Sequence, residues 1–306
     1  MGELFFSSAP RSLGASGISV SSLAWGMWRF KGDDVAAAAA QVKAALDAGI
    51  TLFDTADIYG CDTPAGFGSS EALLGRVFAA DPGLRRKMVL ATKGGIVLGV
   101  PYDSSAAYLQ RAVDISLKRL GVDHVDLWQV HRPDILAHPA EVAKSLETIV
   151  SSGRARTIGV SNHTPAQVSA LMAHLSIPLV SIQPELSALA LGAIFDGTLD
   201  QAMQHGLAVL AWSPLAQGRL AADLAADAPA TSRAAVAAID RIAGEQGVGR
   251  AAVAYAFIGA HPCGAIPIVG TQNPARIAEA TEAYKVRFTR AQWYEILQAA
   301  MGENLP

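Results

Sequence analysis

Short apolar runs and longer stretches with apolar residues every three or four positions take turns along this chain from about residue 22 to residue 284. The runs SSLAWG, TLFD, MVLATK, VDLWQVH, TIGVSN, PLVSIQ, LAVLAWS and AIPIVG read as strands, near residues 22, 52, 90, 127, 158, 181, 209 and 267. Between them, VAAAAAQVKAALDAG, SSEALLGRVFAA, SSAAYLQRAVDISLKRLG, PAEVAKSLETIVSSG, TPAQVSALMAHL, the segment from Asp196 to His205, a region through Phe257, and NPARIAEATEAY read as helices. The boundary residues agree with this division: Asp33 and Asp34 can cap the Ala-rich helix, Gly49 and Gly153 can stop helices, and Pro165 suits a first helical turn.

A strand with its following helix needs about 30 residues or more. Eight such units predict an α/β protein with a closed (β/α)8 TIM barrel, a fold of about 250 residues. The remaining length is assigned to a short N-terminal β-hairpin in LFFSSAPRSLGASGISV, a long segment after the seventh strand, and a C-terminal helix. AADLAADAPATS, near 221 to 232, reads as a loop insertion, and no linker-like stretch divides the chain, so 1–306 is expected to be one barrel domain. A doubly wound open sheet fits the same alternation. No G-x-G-x-x-G follows any strand, however, and that fold's usual dinucleotide fingerprint is therefore missing.

Composition narrows the partners. A net charge of -3 with 17% charged residues offers no basic stripe for nucleic acid. No run approaches the roughly 20 apolar residues of a membrane span, and MGELFFSSAP lacks the basic and apolar regions of a signal peptide. Met-Gly at the start would suit myristoylation, but Phe6 stands where that signal needs Ser or Thr. Cys61 and Cys263 lie far apart in no metal or redox spacing, so no metal is expected and a reducing compartment, the cytoplasm, is.

Barrel chemistry gathers where strands end at their C-terminal side. There this chain places Asp54 and Tyr59, Lys93, His131, Ser161 and Asn162, Gln183, Trp212 and Ser213, and finally GTQNPAR with Arg276. Taken singly, Asp54 could cap a turn, Lys93 could snorkel and His131 could sit satisfied in a core. Together, four ionisable groups on three successive strands face one mouth. A phenol beside an ammonium is a stronger acid, a paired carboxylate keeps that ammonium charged, and a neutral imidazole can orient a carbonyl. Such a set suits protonation of an alkoxide formed by hydride addition. Asp57 has no partner in this scheme and is expected to shape the turn through local hydrogen bonds.

The ordered set DTADIYG, ATK, VHRPD, GVSN and a sixth-strand Gln resembles the aldo-keto reductases, over nearly the whole chain. The resemblance implies a (β/α)8 barrel and reduction of aldehydes or ketones, or oxidation of alcohols, with NADPH, NADH being possible. It maps Asp54, Tyr59, Lys93 and His131 onto the family's catalytic tetrad with Tyr59 as general acid/base. It also implies that Ser161, Asn162 and Gln183 hold the nicotinamide carboxamide and that Trp212 covers the ring. Ser213, Leu215, Gly270, Thr271 and Arg276 are implied as further cofactor contacts. Ile268 stands where many relatives carry a lysine, Ala280 where an adenine-contacting Asn is common, and Ile182 where an Asn often precedes the Gln. Arg276 remains for an adenosine 2'-phosphate.

Trp25, Met27, Trp28 and Phe30 after the first strand, and Trp128 near the fourth strand's end, are candidate walls of a substrate pocket, of which Trp28, Met27 and Trp128 are assigned to it. Arg132 and His163 flank the mouth. The expected partner is a small carbonyl or alcohol substrate. Two other readings compete: a Schiff-base lyase or aldolase using Lys93, which a paired Asp54 disfavours by raising the amine's pKa, and a cofactor-sensing subunit on the same barrel.

Overall fold

The computed structural model describes residues 2–306. Eight parallel strands close into a barrel: β1 (Ala24–Gly26), β2 (Leu52–Asp54), β3 (Val89–Gly94), β4 (Val125–Val130), β5 (Ala155–Ser161), β6 (Leu179–Gln183), β7 (Ala208–Ala211) and β8 (Ile266–Val269). Strand β8 pairs with β1 and completes the ring. Helices α1 (Val35–Asp47), α2 (Ser69–Ala80), α3 (Ala106–Leu120), α4 (Pro139–Ser151) and α5 (Pro165–Met172) follow the first five strands. Then come α6 (Gly192–Phe195), α7 (Thr198–His205), α8 (Ala230–Gln246), α9 (Arg250–Gly259), α10 (Pro274–Glu279) and α11 (Arg290–Met301).

Local signals set the helix ends. The Asp34 carboxylate accepts from the Ala37 amide at 3.0 Å, and Gly121 stops α3 in the left-handed conformation at φ 64°. The expected loop insertion is loop only through Pro229, because α8 begins at Ala230. Likewise NPARIAEATEAY is helical over α10 and then tightens into a 3-10 turn over Ala280–Lys285.

Side chains alternate across each strand, which divides the apolar residues into two layers. Ala24, Leu52, Ala91, Leu127, Leu210, Ile266 and Ile268 fill the barrel, whereas Trp25, Phe53, Trp128, Val130 and Ile158 pack outward against the helices. The expected N-terminal hairpin pairs Arg11–Ser12 with Ser19–Val20, and Leu13, Ile18 and Val20 plug the barrel's lower end. Gly14 is required there: at φ 54°, any Cβ would lie 2.4 Å from the Val180 carbonyl oxygen. Leu4–Phe5 leaves the hairpin and pairs antiparallel with Arg287–Phe288, binding the start of the chain to the approach of α11. The polar strand ends are thereby left to the opposite mouth.

Helices α2 and α3 approach closely at Gly75, where a Cβ would sit 2.1 Å from the Arg119 carbonyl oxygen. Gly75→Ala should therefore force the two helices apart and lower stability by about 1–3 kcal/mol, read as a reduced denaturation midpoint in urea. An unchanged midpoint would show that the pair can separate without cost.

Candidate active site

Inward-facing positions turn from apolar to polar along β2, β3 and β4: Leu52 gives way to Asp54, Ala91 to Lys93 and Leu127 to Gln129. Lys93 is fully buried, and its ammonium donates to Asp54 Oδ2 at 2.6 Å and to the Thr55 carbonyl at 2.8 Å. The other carboxylate oxygen of Asp54 accepts from the Gln129 amide at 3.3 Å and the Gln183 amide at 3.1 Å. A charge removed from water needs such a complete set of partners. Lys93 Nζ also lies 4.9 Å from the centre of the Tyr59 ring, and that ring meets His131 edge-on at 5.9 Å and Trp28 edge-on at 5.1 Å. The four titratable groups expected to converge are thus brought together.

Their protonation follows from this packing. Burial would push the Lys93 ammonium toward neutrality, but Asp54 and Tyr59 outweigh it and the lysine is held above its usual range. It is not the neutral amine that imine chemistry needs. Burial pushes the Tyr59 phenol up, while Lys93 pulls it down and Asp54 pushes it up again. The sequence expectation named the pull of Lys93 correctly but omitted burial, which prevails. Tyr59 is consequently a neutral phenol near pH 7. Burial, Lys93 and Arg132 together hold His131 well below the ordinary imidazole range.

Strand β5 ends in a linkage between strands. Asn162, left-handed at φ 60°, donates to the His131 carbonyl at 3.1 Å and to Ser161 Oγ at 2.8 Å. Its Oδ1 accepts from the Trp212 indole at 2.9 Å, and Ser161 Oγ donates to the Gln183 carbonyl at 2.9 Å. Gln183, expected to hold a carboxamide, commits its NH2 to Asp54 and Gln129, leaving Oε1 as its free end. Beyond β7, Ser213, Ala216 and Gln217 are left-handed although none is glycine, and Leu215 lies within this tight turn. Such backbone is costly and concentrates at ligand sites. After β8 come Gly270 and Thr271, whose carbonyl accepts from the Trp25 indole, and then Arg276, exposed on α10.

Two pocket assignments are corrected. Met27 is fully buried in the outer core, and Trp128 points outward toward the helices, with Gly94 packed against its ring. Trp128 lies one residue out of phase with inward-facing Leu127 and Gln129, and the two-residue period sends it behind the sheet. Trp28, 43% exposed, does stand at the mouth. Arg132 lies over the Trp212 ring at 5.7 Å, and His163 contacts the Ser161 carbonyl while lining a side cavity of about 250 Å³ with Pro133, Asp134 and Leu171. Asp57 finds its side-chain partner on α3, in the Tyr108 hydroxyl, rather than within its own turn.

The sequence reading missed Gln129 and Arg29. The period of β4 carried the signal for Gln129, because a polar residue two positions before His131 must face the same interior. Arg29 comes within 3.5 Å of where a Cβ on Gly270 would be, so a cation from the β1 loop stands beside the strand-end glycine. Ile268 does fill the barrel, its methyl close to Gly26. Among the described residues, no group of three or more His, Cys, Asp or Glu is placed to hold a metal, and no helix is long and apolar enough to cross a membrane.

Two consequences can be measured. Gln129→Leu removes one of the two amides on Asp54 Oδ1 and the second acceptor of the Gln183 NH2, while the bond between Gln183 and Asp54 remains, and should cost about 0.5–1.5 kcal/mol in chemical denaturation. In imidazole NMR, His131 should stay neutral at about pH 6.5, where a free imidazole is half protonated. Since the unfolded chain takes up a proton near pH 6.5 that the folded site refuses, this residue removes stability as the pH falls through that value. A titration of His131 near pH 6.5 in the folded protein would contradict the assignment.

The aldo/keto reductase family model matches residues 22–300. A 6-dehydroglucose reductase from Novosphingobium aromaticivorans is 55% identical over the full length of both chains. One from Agrobacterium fabrum is 37% identical, covering 94% of this chain and 97% of its own. The crystal structure of a thermostable aldo-keto reductase bound to the inhibitor epalrestat superposes with a TM-score of 0.81 at 22% identity, covering 95% of this chain and 99% of that one, and shares the fold. With its closed barrel and near-complete family match, this chain belongs to the aldo/keto reductase family of oxidoreductases, which act on small molecules with nicotinamide cofactors.

Proposed function

We propose that the chain is an NADPH-dependent reductase of a sugar aldehyde of the 6-dehydroglucose type, converting the aldehyde to the primary alcohol. The observation that carries the carbonyl chemistry is the buried Lys93 ammonium, held 2.6 Å from Asp54 and facing the ring of Tyr59, with a neutral His131 alongside. The substrate class rests on the two relatives of that name. A mouth with the Trp28 ring and the Arg132 guanidinium suits a polyol, which offers both C–H faces and hydroxyls.

The donor set fits a dinucleotide. Gln183 Oε1, Ser161 and Asn162 offer amide and hydroxyl groups beside the Trp212 indole, the left-handed turn at Ser213 lies within reach of a ribose or phosphate, and Arg29 and Arg276 supply cations for phosphates. Arg29 provides a charge that Ile268 does not, and Arg276 supports NADPH over NADH. When bound, the cofactor supplies a hydride to the carbonyl carbon. Tyr59 gives its phenolic proton to the carbonyl oxygen, and the ring nitrogen of His131 opposite Nδ1 orients that oxygen. Lys93 stabilises the phenolate left behind, Asp54 keeps Lys93 charged, and Tyr59 recovers its proton from solvent.

Tyr59→Phe should retain NADPH binding, followed by quenching of protein fluorescence, while turnover falls by about 10²–10⁴-fold. Full turnover in this variant would remove Tyr59 from the chemistry. Oxidation of NADPH should be faster with the hexose bearing an aldehyde at carbon six than with unsubstituted aldehydes of similar reactivity. No preference between them would withdraw the sugar assignment and leave the carbonyl reductase standing.

A further inference from the structure

Two carboxyl groups of the turn from 54 to 59 are equally buried, at 2% exposure each, but their surroundings differ. Asp54 accepts from three donors at 2.6, 3.3 and 3.1 Å. Asp57 Oδ1 has no hydrogen-bond partner, and Oδ2 faces only the Tyr108 hydroxyl, at 3.5 Å. The carboxyl also packs on Gly94, where a Cβ would come 3.2 Å from Oδ2. An ionised carboxylate left this bare would forfeit its hydration without replacement.

A proton count at Tyr108 points the same way. Its oxygen lies 3.2 Å from the Ile96 carbonyl and 3.5 Å from Asp57 Oδ2, and a phenol has one proton. Two acceptors cannot both be served by it. The shorter contact takes the phenolic proton, and the contact with Asp57 is a hydrogen bond only when the carboxyl brings a proton of its own.

Neighbouring charges do not supply the missing donors. Arg119 of α3 gives its NH1 to Glu71 of α2 at 3.3 Å and to the Asp57 backbone carbonyl at 3.4 Å, not to the carboxyl. Lys93 is occupied by Asp54 and Thr55, and the bond between Asp57 and Lys93 is the one from the Asp57 amide to the Lys93 carbonyl at 2.9 Å. Arg111 stacks on the Tyr108 ring at 5.6 Å, and Asp103 adds negative charge near Tyr108. Burial first and Glu71 second push the Asp57 carboxyl well above the usual range, against smaller opposing pulls from Arg119, the Ile58 amide and the Tyr108 hydroxyl.

We propose that Asp57 is a protonated positioning residue: its carboxyl donates to the Tyr108 oxygen, Tyr108 donates to the Ile96 carbonyl, and this relay fastens the turn bearing Tyr59 to α3 and the β3 loop. Asp57 never touches substrate. It fixes the middle of a turn whose two ends carry Asp54 and Tyr59, and Tyr59 is further held by its amide bond to the Ala56 carbonyl and by the Ser70 amide on its own carbonyl. The effect on turnover rests on Tyr59 being the proton donor. The protonation state does not.

The experiment joins a titration to kinetics. Carbon-13 NMR of the Asp carboxyls in the intact protein should show the Asp57 signal, assigned by its loss in Asp57→Asn, still protonated well above the ordinary aspartate range of about pH 4. Tyr108→Phe should lower its midpoint, because the phenol oxygen accepts from the neutral form; a rise would mean that Tyr108 donates to a carboxylate, and would overturn the proposal. Asp57→Asn, which retains a donor, should keep kcat within about threefold, whereas Asp57→Ala should lose about tenfold or more with little change in KM, since small misplacements of a catalytic group are costly. Equal losses in both variants would also overturn it. A normal Asp57 titration refutes the proposal whatever Tyr59 does.

Discussion

A fully buried ammonium at the mouth of the barrel is the constraint on which the rest of the site depends. Lys93 has given up its water, a loss of several kcal/mol for an unpaired ion, so its partners cannot be spared. Asp54 must reach it from β2, Thr55 must turn a carbonyl toward it, and Gln129 and Gln183 must hold the far side of the carboxylate. One charge therefore ties the ends of β2, β3, β4 and β6 into a fixed arrangement. The same charge acts outward, opposing the effect of burial on the Tyr59 phenol and adding to the effect of burial that keeps His131 neutral.

The barrel makes this affordable by dividing its interior. Below, aliphatic side chains and the hairpin plug around Leu13 exclude water; above, β2, β3 and β4 present polar groups at the next inward position. The two-residue period that delivers Asp54, Lys93 and Gln129 to the axis also sends Trp25 and Trp128 to the helical layer. At the rim, non-glycine residues adopt left-handed backbone at Asn162 and Ser213, and the interstrand bonds of Asn162 to His131 and Trp212 help to hold that conformation. Rigidity in the floor and cost in the rim are complementary features of one site.

The turn from 54 to 59 illustrates how environment separates identical chemistry. Asp54 and Asp57 share burial and are three residues apart, yet only Asp54 is surrounded by donors. The difference is a matter of geometry: Asp54 points along the strand into the barrel, where amides and an ammonium wait, and Asp57 points back between β3 and α3. The placement of Asp54 is explained by Lys93, Gln129 and Gln183, and that of Asp57 by Tyr108, Arg119 and Glu71.

Much of this is legible in the amino-acid sequence. The alternation of strand and helix gave the barrel, because hydrophobic period is a local property, and the ordered polar residues at strand ends gave the convergence of Asp54, Tyr59, Lys93 and His131, because barrel topology leaves them no other place to meet. Gln129 was legible in principle through the same period. What the sequence could not determine depended on contacts between distant segments: Leu4–Phe5 pairing with Arg287–Phe288 rather than with its neighbour, Met27 lost to the core, Arg29 brought to Gly270, and Asp57 facing Tyr108. Protonation belonged to the same class. Residue types name what can ionise, but only the packed tertiary structure fixes how much water each group loses and which donors replace it, and that balance decides its charge.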